Sequence, residues 1–152
     1  DRKPGSRALR KGRYSQRGQI YLITTTTEHR IPWFQAFEFA HIMCRCLEDP
    51  VCVGRARNHC WVVMPDHVHL LLDLRARSLA AVVGRLKSLS AIRLNREIGH
   101  AGRFWQVSFH DHAIRAEENL IDAARYIVRN PLRAGLVTKV GDYPFWNSRW
   151  LS

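Results

Sequence analysis

The run Met64-Pro65-Asp66-His67-Val68-His69-Leu70-Leu71-Leu72 constrains this chain more than any other stretch. Side chains on a strand alternate between faces. His67 and His69 therefore share one face, while Val68, Leu70, Leu72 and Leu74 share the other, which reads as the core side. Pro65-Asp66 supplies a tight junction into this strand. Two imidazoles at adjacent same-side positions of a rigid strand form a ready pair of metal ligands. With an added oxygen donor they suit Mg, Mn or a similar ion, with Zn open as well. The plainer alternative is two ordinary surface or core histidines.

The rest of the pattern alternates strands with helices. Gln19 to Thr27 is alternating and β-branched, which predicts a strand. Pro32 opens a predicted helix carrying Trp33, Phe34, Phe37, Ala40, His41 and Cys44 and ending near Asp49-Pro50. Val51 to Met64 reads as a second strand with a break near Arg55 to Asn58, and the His67 strand runs to about Leu74. Ser78 caps a helix whose apolar stripe is Leu79, Val82, Val83, Leu86, Leu89 and Ile92, and Gly99 stops it. Arg103 to Ile114 predicts a strand. A last helix starts near Glu117 and Glu118 and ends at Arg129 or Asn130, since Pro131 disfavours helical geometry at the residue before it. The order βαββαβα predicts an α+β, ferredoxin-like sandwich with a mainly antiparallel sheet and helices on one face.

Charge narrows the partner. Of 152 residues, 24 are Lys or Arg against 13 Asp or Glu, a net charge of +11. Such an excess favours a polyanion, nucleic acid above all. No basic segment carries the bulky apolar face needed to lie on a membrane. No apolar run spans a bilayer and no signal-peptide core opens the chain, which predicts a cytoplasmic location. Residues 1–17 form a basic arm with Arg7, Arg10, Lys11, Arg13 and Arg17, which is either a partner-binding segment or a solvated tail. The four cysteines, Cys44, Cys46, Cys52 and Cys60, include no CxxC pair, which argues against structural zinc.

The last helix singles out a tyrosine. At ~100° per residue, Leu120, Ile121, Ala124, Ile127 and Val128 gather on one side. Tyr126 lies nearly opposite, among Asn119, Asp122, Arg129 and Asn130. It is either an ordinary surface tyrosine or one presented for chemistry. Asn130 follows one turn later and is either a third metal ligand or a cap for the turn at Pro131. His110 and His112 also alternate, around Asp111, and suit hydrogen bonding or nucleic-acid contact better than a second metal.

Met-Pro-Asp before His67-Val68-His69, together with Tyr126-Ile127-Val128-Arg129-Asn130-Pro131 and the following Leu132-Arg133-Ala134-Gly135-Leu136-Val137, resembles the REP-associated tyrosine transposases. These are a branch of the single-tyrosine HUH transposases. Trp105-Gln106 and the Asp111 to Arg115 stretch fall within the resemblance, which extends from about Tyr14 to Tyr143. Either motif alone is common; the two in this order and separation are specific. Where the family commonly has Asn before the first His, this chain has Asp66, a carboxylate close enough to alter a metal site.

The resemblance implies an HUH endonuclease fold over residues 18–137, with residues 138–152 packing back as a tail. It implies that His67, His69 and Asn130 hold Mg2+ or Mn2+, and that Tyr126 attacks the scissile phosphate to give a 5′-phosphotyrosine. The implied substrate is single-stranded DNA with hairpins, as in repetitive extragenic palindromes, with an adjacent tetranucleotide read by the basic arm and Arg17. Arg85, Lys87, Arg93, Arg96, Arg125, Arg129 and Arg133 become candidate phosphate contacts. Trp33, Trp61 and Trp105 are either base-stacking platforms or, as most tryptophans are, core. The implied protein is nucleoid-associated and monomeric, a homodimer being the alternative. Two competing readings remain: a domesticated, non-catalytic hairpin binder, and a zinc hydrolase, which lacks a helical HExxH frame.

Overall fold

The computed structural model describes residues 19–75 and 78–150, apart from the Glu117 and Glu118 side chains. The basic-arm candidates Arg7, Arg10, Lys11, Arg13 and Arg17 lie outside the described residues, as do the side chains of the acids expected at the start of the last helix. The strands are β1 (Ile20–Thr26), β2 (Arg57–Met64), β3 (His67–Asp73), β4 (His110–Ile114) and β5 (Trp146–Ser148). The helices are α1 (Phe37–Glu48), α2 (Pro50–Val53), α3 (Leu79–Ile98), α4 (Glu117–Val128) and α5 (Asn130–Arg133). All strands join one antiparallel sheet in the order β4-β1-β3-β2-β5. This is the expected α+β sandwich with a fifth strand added at one edge.

One detail of that expectation is overturned: helices cover both faces. Tyr21, Ile23, Trp61, Val63, Val68, Leu70 and Leu72 pack with Met43, Leu47, Val83 and Leu86 of α1 and α3. Cys60, Val62, Met64 and Leu71 pack with Ala123, Ala124, Ile127 and Val128 of α4. The cause lies in β2 and β3, whose residues from Cys60 to Met64 and from Val68 to Leu72 are buried on both sides. A strand apolar on both sides needs cover on both.

Other boundaries moved for local reasons. The helix expected from Pro32 begins at Phe37, because Phe34 is spent on the core and its N–H donates to the Pro65 carbonyl. Val51 to Val53 is helical rather than extended: the Asp49 carboxylate accepts from the Val51 N–H and Pro50 occupies the first turn. The strand expected from Arg103 starts only at His110. Before it, the carbonyls of Gln106, Val107 and Ser108 all converge on the Lys87 ammonium, which the alternating carbonyls of an extended strand could not do. Asn130 is helical after all, opening α5 with Pro131 in the first turn, where a missing N–H costs nothing. The tail supplies β5, paired with Cys60 to Val62, and the Tyr143 hydroxyl donates to the Val63 carbonyl.

As the cap pattern requires, the Ala81 N–H donates to Ser78 Oγ at the start of α3, and Gly99 ends it at φ 77°. Trp61 and Trp105 are core residues, and the Trp105 indole donates to Ser90 Oγ.

Candidate active site

The antiparallel register builds the site. Thr24 of β1 pairs with His69 of β3, and Thr26 pairs with His67. Both histidines thus stand on the α4 face of a central strand, flanked by β1 and β2. Their ring centroids are 4.8 Å apart at 78°.

Each imidazole has one nitrogen engaged. His67 Nδ1 lies 2.8 Å from Asp66 Oδ1, and the other Asp66 oxygen accepts from Arg30 Nε at 3.1 Å. Burial alone would raise the Asp66 carboxyl, but the His67 hydrogen bond and the charges of His67 and Arg30 outweigh it and hold it below the usual range. An ionised carboxylate only accepts, so His67 Nδ1 is the donor in this bond and Nε2 is the nitrogen left to face the site. His69 Nδ1 lies 2.8 Å from Thr24 Oγ1. Burial first, then the charges of His67 and Arg133, push the His69 imidazole down from 6.5 to about 3, so it is neutral at physiological pH. Neutral imidazoles oriented through the second nitrogen by a carboxylate or a hydroxyl are the usual form of a histidine metal ligand.

Tyr126 closes the site from α4. The sequence places it opposite the apolar stripe, and the structure puts it at the stripe's edge, next to the buried Ala123 and Ile127 and 47% exposed. Its ring meets His69 edge-on, the centroids 5.8 Å apart. The Arg133 guanidinium carbon lies 4.1 Å from the Tyr126 ring centroid, and Arg133 Nη2 donates to the Tyr126 carbonyl at 2.7 Å. A cleft of about 490 Å3 opens beside this cluster, lined by Thr24, His69, His112, Asn119, Asp122 and Tyr126 among others. His112 stands opposite Leu22 on β4, which brings the second histidine pair to the same edge.

Asn130 is half-buried one turn beyond Tyr126, and among the described residues its side chain has no hydrogen-bond partner. No group of three His, Cys, Asp or Glu side chains gathers as a metal cage among the described residues. A cation on the histidine pair therefore needs a further donor of another kind, for which an amide oxygen or a phosphate oxygen is suitable.

Three candidate phosphate contacts are engaged on α3, which packs on the opposite face of the sheet. Arg85 Nε donates to the Val51 carbonyl, Arg93 pairs with Asp49 at 2.9 Å, and Lys87 ties down the loop before β4. Arg129 is exposed at the end of α4. Sequence reasoning did not find Thr24 or Arg30 as orienting partners. Their signal lies in strand register and in a turn whose His29 and Arg30 have positive φ, neither of which the sequence displays.

No helix among the described residues is long and apolar enough to cross a membrane. The chain is 31% identical over 94 residues to a REP-associated tyrosine transposase of Haemophilus influenzae, covering 55% of this chain and 53% of that protein. It is 33% identical over 89 residues to a REP-associated tyrosine transposase of Escherichia coli, covering 56% and 50%. The chain thus spans about half the length of the curated relatives it matches. Its fold is similar to a solved REP-associated tyrosine transposase bound to a REP hairpin, with TM-score 0.67 and 24% identity over 88% of this chain and 79% of that one. It is also similar to a transposase-like protein of Deinococcus radiodurans, with TM-score 0.56 and 24% identity over 76% and 93%. The family model described as "Transposase IS200 like" matches residues 19–130, which takes in both histidines, the tyrosine and Asn130. The chain belongs to the IS200-like transposase family.

Proposed function

We propose that this chain is a metal-dependent tyrosine transposase of the REP-associated kind, which cleaves and rejoins hairpin-bearing single-stranded DNA through a 5′-phosphotyrosine. The observation that carries the reading is the edge contact between Tyr126 and the neutral His69, 5.8 Å between centroids. It sets a half-exposed phenol beside an imidazole pair whose Nδ1 atoms are already occupied. The REP hairpin held by the structural neighbour supports the same class of DNA.

The donor set fits a divalent ion: His67 and His69 through Nε2, with the Asn130 amide oxygen completing a mixed nitrogen and oxygen set that suits Mg2+ or Mn2+. When bound there, the ion supplies Lewis-acid polarisation of the scissile phosphate. The chain's own residues do the rest. Asp66 and Thr24 hold the imidazoles in register, and His67 with Arg30 keeps Asp66 ionised. The Tyr126 oxygen bonds to phosphorus as the bond from phosphorus to the 3′-oxygen breaks. The phenol proton leaves to the solvent the ring faces, and the departing 3′-oxygen becomes a hydroxyl. Because a phosphodiester replaces a phosphodiester, attack by a 3′-hydroxyl on the tyrosyl linkage rejoins strands without ATP. The basic arm and Arg17 are the proposed readers of a tetranucleotide beside the hairpin.

The test is incubation with hairpin-bearing single-stranded DNA and Mn2+ or Mg2+. The expected product is a protein–DNA adduct that survives SDS, absent in Tyr126→Phe while hairpin binding is retained. An undiminished adduct in that variant sinks the assignment of the nucleophile. Binding with no adduct in the natural protein leaves a domesticated hairpin-binding protein.

A further inference from the structure

The cations near the site are not equivalent. Arg30 and Arg125 each face a carboxylate, at 3.1 and 3.8 Å, whereas Arg115 on the cleft wall and Arg129 have no ion pair among the described residues and do not touch the Tyr126 ring. Arg133 has no ion-pair partner among the described residues; it lies over the Tyr126 ring and donates to the carbonyl of the same residue. A guanidinium carries five N–H donors in a fixed fork, and that carbonyl occupies one. The chain therefore holds a guanidinium with N–H donors to spare against a phenol that itself abuts an imidazole pair.

We propose that Arg133 clamps the scissile phosphate, its stack on Tyr126 fixing the ring while its remaining N–H donors hold the non-bridging oxygens that gain charge in the transition state. The proposal rests on Tyr126 being the nucleophile. It follows from where α5 sits. Asn130 to Arg133 forms a separate helical turn after α4, so the arginine folds back over the tyrosine seven residues earlier. Planar recognition of phosphate is what a guanidinium does better than an ammonium. Donors aimed at developing charge contribute to rate rather than to ground-state affinity.

The test uses an oligonucleotide that the natural protein cuts, prepared with either an ordinary phosphodiester or an uncharged methylphosphonate at the scissile position. Single-turnover adduct formation is measured for the natural protein, Arg133→Ala, Arg133→Lys and Tyr126→Phe. On the phosphodiester, Arg133→Ala should be slower by about a hundredfold, the low end for loss of one transition-state donor. Hairpin affinity should not change, and Arg133→Lys should recover part of the rate. On the methylphosphonate, which has no ground-state charge and keeps a single non-bridging oxygen, the gap between Arg133→Ala and the natural protein should narrow markedly. An arginine that only holds the ring would impair both substrates equally, and that result, or no impairment at all, overturns the clamp while leaving the nucleophile standing. An adduct that persists in Tyr126→Phe overturns the nucleophile itself.

Discussion

On the face covered by α1 and α3, the three central strands present Tyr21, Ile23, Trp61, Val63, Val68, Leu70 and Leu72, every one buried. On the face covered by α4, the same strands present Leu22, Thr24, Val62, His67, His69 and Leu71, and the cleft beside Tyr126 stays open at the β1 and β4 edge. The helices account for the difference. Two stacked helices seal the first face, whereas α4 and the short α5 lie chiefly over β2, β3 and β5 and cover β1 and β4 only in part, through Ile20, Leu22 and Ile114. Polar side chains are tolerated where cover ends, provided each finds a partner, as His69 does in Thr24 and His67 in Asp66. One strand, β3, thus serves packing through its even residues and chemistry through His67 and His69.

The sharpest way to break that division is to change neighbours on β3. His69→Gln should abolish the metal-dependent adduct, a loss greater than the hundredfold that disturbing an outer-shell partner can cost. The thermal midpoint should stay close to that of the natural protein. Leu70, the next residue, is fully buried on the opposite face. Leu70→Ala should lower stability by about 2–5 kcal/mol in urea unfolding, with adduct formation per folded molecule unchanged. If Leu70→Ala spared stability and removed activity, the two faces would not be separable in this way.

A smaller effect separates the site from its support. Asp66→Ala removes the acceptor on His67 Nδ1 and the partner of Arg30, and should weaken Mn2+ binding about 10–100-fold by calorimetry. Asp66→Asn retains an acceptor without the charge and should fall between the two. Equal metal affinity in all three proteins would mean that His67 needs no orientation.

Much of this arrangement was legible in the chain. Alternation alone put His67 and His69 on one face, Ser78 and Gly99 marked both ends of the long helix, and the wheel put Tyr126 outside the apolar stripe. What escaped depended on contacts distant in sequence. Trp146 to Ser148 is too short to announce a strand and is extended because it pairs with Cys60 to Val62. Trp105 and Val107 mimic alternation, but the backbone between them is drawn to Lys87. Leu70-Leu71-Leu72 signalled a strand buried on both faces, and the single-faced expectation followed from matching the element order to its simplest plan. The stack of Arg133 on Tyr126 joins residues seven apart through a helix break at Arg129, a geometry no single periodicity describes.

The smallest expected effect is acid sensitivity. His69 ionises near about 3 in the folded chain against an ordinary value of 6.5. Between these values the unfolded chain binds a proton that the folded chain refuses. Stability from this group is therefore complete above about pH 6.5 and is lost as the pH falls toward 3. From pH 7 to 5.5 the loss amounts to about 1 kcal/mol for one histidine shifted this far. His59, also held down by burial, adds in the same direction, and Asp66 adds a further loss only below the ordinary carboxylate value of 3.8. Subtraction isolates the open face: over the range from pH 7 to 5.5 the urea midpoint of the natural protein should fall more steeply than that of His69→Gln, with His59 common to both. Parallel slopes would show that the imidazole beside Tyr126 titrates as it does in the unfolded chain, so that burial does not hold it neutral below pH 6.5.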